Sequence, residues 1–187
     1  MINDKKKHNF FLIIIIFFNL MICNTYSSTS RSFYNLEIKS IDGTNIAFKD
    51  YKNKAVLIVN VASNCGFTKQ YSDMQKLWDN YKESGLIVLA IPSNSFNQEK
   101  NSEKEIKEFC DVNFNVNFPM SSIYDVRGEN AHDLYKWAKN QYGKSTVPKW
   151  NFHKILIDKN GGIVDTFASF TNPQSKKIIN KIEEILN

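Results

Sequence analysis

The sequence predicts an α/β domain in which helices flank a central mixed sheet. Two apolar runs with the length of buried strands, 55–61 and 86–91, enclose a segment with helical periodicity. A strand, a helix and a second strand in this order form a parallel pair with a right-handed crossover. Two later strand-like runs, 155–157 and 163–167, flank an Asp-Lys-Asn-Gly-Gly turn and predict an antiparallel hairpin.

A short hairpin is predicted ahead of the first long strand. Residues 33–39 alternate weakly between polar and apolar side chains and end at Asp42 and Gly43, a dipeptide typical of tight hairpin turns. Residues 45–48 form the return strand, and a polar turn then leads into 55–61. The domain is therefore expected to begin with a β-hairpin.

Helices are predicted in four segments. The first covers 69–82, with Thr68 as its cap, and the second opens with a Ser-Glu-Lys-Glu capping box at Ser102. The third covers 130–141, and the last begins at Pro173. The first helix carries a stripe of large apolar side chains typical of a core-facing surface: Tyr71, Met74, Leu77, Trp78 and Tyr81. The order βαβ, helix, ββα is that of a thioredoxin-like fold.

The composition excludes several classes of function. The chain has 187 residues, 42% of them hydrophobic, which suits one domain with its own core. Its formal net charge is +5, and residues 4–7 (Asp-Lys-Lys-Lys) contribute +2, which leaves a scattered +3 that argues against nucleic-acid binding. The cysteines and histidines match no zinc-site spacing, so we expect no metal and no other cofactor. The cysteines are Cys23, Cys65 and Cys110.

Residues 1–28 have the features of a targeting leader. A lysine-rich start, an apolar stretch at 10–18 and small polar residues at 24–28 are typical of a signal peptide. The apolar stretch is shorter than the roughly 20 residues that a membrane span needs. We expect residues 29–187 to enter the secretory pathway or an organelle without a stable membrane span. A signal anchor is the alternative, and a start at Met21 would produce a cytosolic form.

Cys65 lies where the strand 55–61 leads into the first helix. Open α/β sheets place their sites at the carboxyl ends of central strands. Backbone N–H groups at the start of a helix carry partial positive charge and favour a thiolate, the nucleophilic form of cysteine. The position alone leaves two interpretations open, a reactive thiol or a small buried core residue.

Five motifs occur between about residue 33 and the end of the chain: N-V-A-S-N-C-G-F-T (60–68), L-A-I-P-S-N-S-F (89–96), Q-E (98–99), F-P (118–119) and W-N-F (150–152). Together they resemble the glutathione peroxidase family. Cysteine at position 65 indicates the non-selenium group of that family. The resemblance implies a thioredoxin-like fold and a thiol peroxidase that reduces hydrogen peroxide and organic or lipid hydroperoxides.

The same resemblance implies the site residues. The family's catalytic tetrad maps onto Cys65, Gln98, Trp150 and Asn151, and Cys110 resembles the resolving cysteine of members that thioredoxin reduces. Amide and indole N–H groups are neutral donors, which stabilise a thiolate and the charge on a departing peroxide oxygen. The implied cycle runs through a sulfenic acid on Cys65 and a Cys65–Cys110 disulfide. A thioredoxin or thioredoxin-like protein is the expected reductant, in preference to glutathione.

The sequence departs from the family pattern in two regions. Ser93 and Ser95 stand where many members have Cys and Gln, Lys100 replaces a common Pro, and the loop before Gln98 is one residue shorter. The segment 119–149 lacks the long insertion of tetrameric, glutathione-using relatives. This favours a monomer, with a weak dimer as the alternative, and an open surface for a protein reductant.

Other interpretations use the same residues. A peroxide sensor or redox relay would pass the oxidation of Cys65 to a partner protein. A non-enzymatic secreted domain would hold Cys65 and Cys110 in a permanent disulfide. Cys110 and Trp150 taken singly could be core residues, and Gln98 a solvated loop residue. No motif places a histidine beside Cys65, which disfavours a cysteine hydrolase.

Overall fold

The computed structural model describes residues 32–187. The predicted leader, residues 1–28, lies outside this range and stays a prediction. Within the described range, no helix is long and apolar enough to cross a bilayer.

The predicted hairpin is present and both of its strands are shorter than expected. Strand β1 (Glu37–Lys39) pairs antiparallel with β2 (Asn45–Ala47), and Ile38 lies opposite Ile46. The residues at Phe33–Asn35, predicted as part of the first strand, form a 3₁₀ turn instead. The hydroxyl of Ser32 accepts the N–H of Tyr34 at the start of this turn.

The main sheet has four strands in the order β4-β3-β5-β6. They are β3 (Ala55–Val61), β4 (Leu86–Pro92), β5 (Lys154–Ile157) and β6 (Ile163–Phe167). Strand β3 pairs parallel with β4 and antiparallel with β5, and β5 pairs antiparallel with β6. Every residue of β3 and β4 is buried, which explains their continuous apolar runs. The predicted mixed sheet is confirmed.

Four α-helices surround this sheet. They are α1 (Gln70–Tyr81), α2 (Glu103–Phe114), α3 (Asp133–Tyr142) and α4 (Lys176–Leu186). Ser102 caps α2 as predicted, because its hydroxyl accepts the N–H of Glu105 at 3.3 Å. The Glu105 carboxylate accepts from the Ser102 hydroxyl at 2.9 Å and not from its backbone N–H, so the reciprocal bond of a capping box is replaced by a side-chain bond. Helix α2 ends at Asn115, whose φ of 51° is left-handed.

The predicted starts of the other helices are wrong by one to three residues. Thr68 does not cap α1: Lys69 occupies the cap position without a side-chain hydrogen bond, and turns over 65–70 already bind the first N–H groups. At α4, the side chain of Asn172 accepts the N–H of Gln174 at 2.7 Å. This local turn holds Pro173 outside the helix.

The core has two halves, one on each face of the sheet. Alternate side chains of β3 point to opposite faces, so Leu57 and Val59 join one half, while Val56 and Ile58 join the other. Buried side chains of α1, α2 and α4 fill the first half, and α3 and the amino-terminal elements fill the second. Cys65 and Cys110 both belong to the first half.

The chain after α2 is anchored at two places. Gln75 on α1 donates to the side chain of Asn117 at 2.8 Å and accepts the Asn117 N–H at 2.9 Å. Further on, Ala90 of β4 donates to the Pro119 carbonyl at 3.0 Å and accepts the Ser121 N–H at 2.9 Å. These bonds fix the exit from α2 to the sheet.

Candidate active site

Cys65 lies in the turn that joins β3 to α1 and is only 4% exposed. Its carbonyl accepts the N–H of Thr68 at 3.2 Å, which closes a turn directly after the cysteine. Neighbouring Asn64 and Gly66 are exposed, so the sulfur lies just beneath the surface.

The dipeptide Gln98-Glu99 holds the main chain just before Cys65. The carbonyl of Gln98 accepts the N–H of Asn64 at 2.9 Å, and the Glu99 carboxylate accepts the N–H of Ser63 at 2.9 Å. Two successive peptide groups of the cysteine loop are thus bound to one loop. This places Gln98 beside Cys65 through the backbone.

In the loop before Gln98, Asn97 has a left-handed φ of 56°, a conformation that asparagine tolerates well. Asn94 braces the turn, since its carbonyl accepts the Asn97 N–H at 2.9 Å and its side chain accepts the Glu99 N–H at 3.2 Å.

Asn151 lies in the segment before β5 and contacts Gln98. It is fully buried, and its side-chain NH₂ donates to the side-chain oxygen of Gln98 at 2.9 Å. This bond occupies the acceptor of Gln98 and leaves its NH₂ group to act as a donor. The structure therefore brings the Cys65 loop, Gln98 and Asn151 together.

Asn60, a buried polar residue inside β3, positions the Trp150–Asn151 segment. Its side chain donates to the Trp150 carbonyl at 3.2 Å and accepts the His153 N–H at 3.1 Å. Its carbonyl also accepts the Phe152 N–H at 2.6 Å. Phe152 has a left-handed φ of 62°, which is rare for a bulky residue, and these bonds hold it there.

Trp150 lies at the rim of the site. It is 41% exposed, and its ring packs against Phe96 at a centroid distance of 5.2 Å. Within residues 32–187 no hydrogen bond reaches the Cys65 sulfur, so the donor roles of Gln98, Trp150 and Asn151 stay predictions.

Cys110 is buried in the body of α2, and both it and Cys65 are free thiols. The pKa of Cys110 is raised to about 12, mainly by burial and to a smaller extent by the negative charges of Glu99 and Asp111. The Tyr71 hydroxyl opposes them and favours the thiolate. The resolving role of Cys110 stays a prediction.

The model of one protein family, described as glutathione peroxidase, matches residues 33–139. The chain belongs to the glutathione peroxidase family. One relative is the glutathione peroxidase-like peroxiredoxin 2 of Saccharomyces cerevisiae, 44% identical over 151 residues, which cover 78% of this chain and 93% of the relative. Another is the glutathione peroxidase homolog BsaA of Bacillus subtilis, 42% identical over 148 residues, covering 76% and 92%.

Solved structures agree with this family membership. The crystal structure of T. cruzi GPX1 matches with a TM-score of 0.65 and 32% identity, over 83% of this chain and 96% of that one. A putative thioredoxin from Neisseria meningitidis, at 18% identity and a TM-score of 0.58 over 80% of this chain and 86% of that one, shows the fold alone. The predicted thioredoxin-like fold, family and peroxidase class are confirmed.

Sequence reasoning missed several residues that shape this glutathione peroxidase site. Lys154 is fully buried at the start of β5, and its ammonium donates to Gln70 at 2.5 Å and to the carbonyls of Thr171 and Ser169 at 2.6 and 3.3 Å. Burial lowers its pKa to about 7. These bonds fix the first residue of α1, just after the cysteine loop.

A signal for these residues was present in the sequence. Asn60 interrupts an apolar strand, and Lys154 opens another apolar run. Because a buried polar side chain must find partners, either position could have been flagged as a hydrogen-bonding centre. Tyr71 gave no such signal, since it lies in an ordinary apolar stripe.

Proposed function

We propose that this protein is a thiol peroxidase whose Cys65 thiolate reduces hydrogen peroxide and organic or lipid hydroperoxides. The sulfur attacks one peroxide oxygen, an S–O bond forms as the O–O bond breaks, and water or an alcohol leaves after protonation. Cys65 is then a sulfenic acid. Gln98, Trp150 and Asn151 supply the N–H donors that stabilise the thiolate and the departing oxygen.

This proposal rests on the hydrogen bonds that join three segments: the Cys65 loop, the Gln98 loop and the segment that contains Asn151. Gln98 binds the peptide next to Cys65 with its carbonyl and binds Asn151 with its side chain, both at 2.9 Å. Neutral amide groups near a thiol just below the surface can stabilise the negative charge of its thiolate. They cannot act as a general base. The Gln98 NH₂ group has no competing partner among residues 32–187, which supports its assignment as a donor.

The second half of the proposed cycle uses Cys110. Its thiol condenses with the sulfenic acid to form a Cys65–Cys110 disulfide and water, and thioredoxin or a thioredoxin-like protein reduces that disulfide. Since Cys110 is buried within α2, we propose that this helix opens locally in each cycle.

A coupled assay tests the proposal. Wild-type protein is supplied with peroxide and either thioredoxin, its reductase and NADPH, or glutathione with its own reductase. We expect NADPH oxidation with thioredoxin that Cys65→Ser abolishes, and Cys110→Ser to accumulate sulfenic Cys65 without turnover. Rapid turnover by Cys65→Ser would refute the proposal. Consumption of only one peroxide per Cys65, with transfer of oxidation to another protein, would favour a redox relay.

The role of Gln98 is tested in the same assay. Gln98→Ala should slow oxidation of Cys65 by roughly 100-fold, the size expected for one donor to a developing oxyanion. Gln174→Ala is the matched control, because it removes a side-chain bond to the Asp73 carbonyl outside this site. Equal rates in the two variants would exclude Gln98 as a donor.

We also propose the cellular setting expected from the sequence. Residues 1–28 act as a leader into the secretory pathway or an organelle, and the mature domain is a monomer. Amino-terminal sequencing of the protein from its native compartment tests the first statement. Light scattering of the purified domain tests the second, and a stable tetramer would contradict it.

A further inference from the structure

A cavity with a volume of about 440 Å³ lies between α3 and the loop that precedes this helix. We call it the α3 cavity. Its inner part is apolar, because the lining side chains of Val126, Ala131 and Tyr135 are buried in the core, and Val147 adds a half-buried apolar wall. A cavity of this size and lining is typical of sites that bind small molecules.

The rim of the α3 cavity is positively charged. Arg127, Lys136 and Lys139 line it and are exposed, and Glu129 adds a carboxylate, so the rim stays positive overall. A guanidinium can hold a carboxylate by two parallel N–H···O bonds, and an ammonium adds a point charge. The buried hydroxyl of Tyr135 has no hydrogen-bond partner within residues 32–187, which leaves it free to donate to a ligand oxygen. This combination suits an apolar molecule that carries a carboxylate.

Arg127 also connects the α3 cavity to the candidate active site. Its guanidinium carbon lies 5.0 Å from the centroid of the Phe96 ring, and that ring lies 5.2 Å from the ring of Trp150. Trp150 is the exposed tryptophan at the rim of the site. Two ring contacts therefore lead from the cationic rim of the cavity to a residue of the predicted tetrad. An alkyl chain anchored at Arg127 can pack along these rings.

We propose that the α3 cavity binds the carboxylate of a fatty-acid hydroperoxide, whose acyl chain lies along Phe96 and Trp150 and brings the hydroperoxide group to Cys65. Arg127 and Lys139 hold the carboxylate. This inference rests on the proposed function and narrows its substrate class. Hydrogen peroxide has no chain and no charge, so it gains nothing from the cavity. An uncharged ester of the same lipid gains only the apolar contacts.

The test compares linoleic acid hydroperoxide with its methyl ester, both below the concentration at which they form micelles. The rate constant for oxidation of Cys65 is measured with each by rapid quenching and mass spectrometry, and the acid-to-ester ratio is the readout. Lys139→Gln removes one cation and keeps the contact between Arg127 and Phe96. We expect the ratio to fall by about 5- to 10-fold. Added salt should lower the wild-type ratio, because these cations are exposed.

Lys104→Gln is the matched control, because Lys104 is an exposed lysine of α2 and does not line the α3 cavity. Its acid-to-ester ratio should equal that of the wild-type protein. A ratio in Lys139→Gln within twofold of this control overturns the inference alone.

Competition identifies the occupant of the cavity. Linoleic acid, which has no hydroperoxide group, should slow oxidation of wild-type Cys65 by linoleic acid hydroperoxide. Competition by glutathione and not by linoleic acid would overturn the inference, because it would assign the cavity to glutathione. If hydrogen peroxide, the acid hydroperoxide and its ester all oxidise Cys65 no faster than a free thiol, the proposed peroxidase function fails and the inference with it.

Discussion

Replacement of Asn60 by alanine tests how the Trp150–Asn151 segment is held. The variant deletes the side-chain bonds to the Trp150 carbonyl and to the His153 N–H, at 3.2 and 3.1 Å, and retains the backbone bonds of β3. Trp150 is partly exposed, so water can replace the bond to its carbonyl. The His153 N–H is buried and loses its partner outright.

The two losses differ in size. A hydrogen bond that water can replace contributes about 0.5 to 1.5 kcal/mol, and an unpaired buried donor costs about 1 to 3 kcal/mol. We therefore expect the free energy of unfolding of Asn60→Ala to fall by about 2 to 4 kcal/mol. Oxidation of Cys65 by peroxide should also slow, because Asn151 and Trp150 are no longer fixed.

Urea unfolding of the reduced protein measures the first effect, with an unchanged m value as the sign that the same surface is exposed. Asn45→Ala is the matched control, since Asn45 is exposed and donates to Glu37 at 2.9 Å on the surface. Its loss should stay below about 0.5 kcal/mol. If Asn60→Ala is no less stable than Asn45→Ala, the proposed support of the 150–153 segment is incorrect.

Three further predictions concern stability. Burial lowers the pKa of His153 to about 4, whereas the unfolded chain binds this proton near pH 6.5. The free energy of unfolding should therefore fall by about 3 kcal/mol as the pH drops from about 6.5 to about 4. His153→Leu should reduce this pH dependence in urea titrations, and an unchanged dependence would exclude His153 as its source. Lys154→Met leaves the buried side-chain oxygen of Gln70 unpaired and removes the bonds to two half-buried carbonyls, of which that of Ser169 still accepts from the Gln70 NH₂ group. The unfolding free energy should fall by about 1 to 3 kcal/mol, whereas wild-type stability would show that these bonds contribute nothing. Ser102→Ala removes the cap of α2 and should destabilise that helix by about 1 kcal/mol, seen as faster amide exchange of α2 and faster disulfide formation. Ser175→Ala, at a cap position whose side chain makes no capping bond, should leave exchange of α4 unchanged, and equal effects of the two serine variants would contradict the reasoning.

The long strands were predictable because their signal is local. Strand β3 consists of seven residues buried on both faces, and its predicted and observed bounds coincide. The starts of α1 and α4 were mispredicted because Thr68 and Pro173 lie in turns that bind the first N–H groups before the helix begins. These hydrogen bonds within turns depend on the local backbone conformation, which the hydrophobic periodicity of the sequence does not indicate.

The sequence predicted which residues form the candidate site, and it did not predict the hydrogen bonds between them. The family resemblance indicated Cys65, Gln98 and Asn151, and the structure joins their segments. The support by Asn60 depends on a bond across 90 or more positions of chain, to Trp150 and His153, which no local pattern contains.

The bonds between Gln75 and Asn117 bear on how Cys110 meets its target once α2 opens. A chain of seven residues joins Cys110 to that anchor and reaches at most roughly 23 Å at about 3.3 Å per residue. A thiol confined to a sphere of this radius has an effective concentration of roughly 30 mM around the sulfenic acid. Free thiols in solution at lower concentration are then outcompeted, so the oxidised sulfur is captured within its own molecule before a mixed disulfide forms.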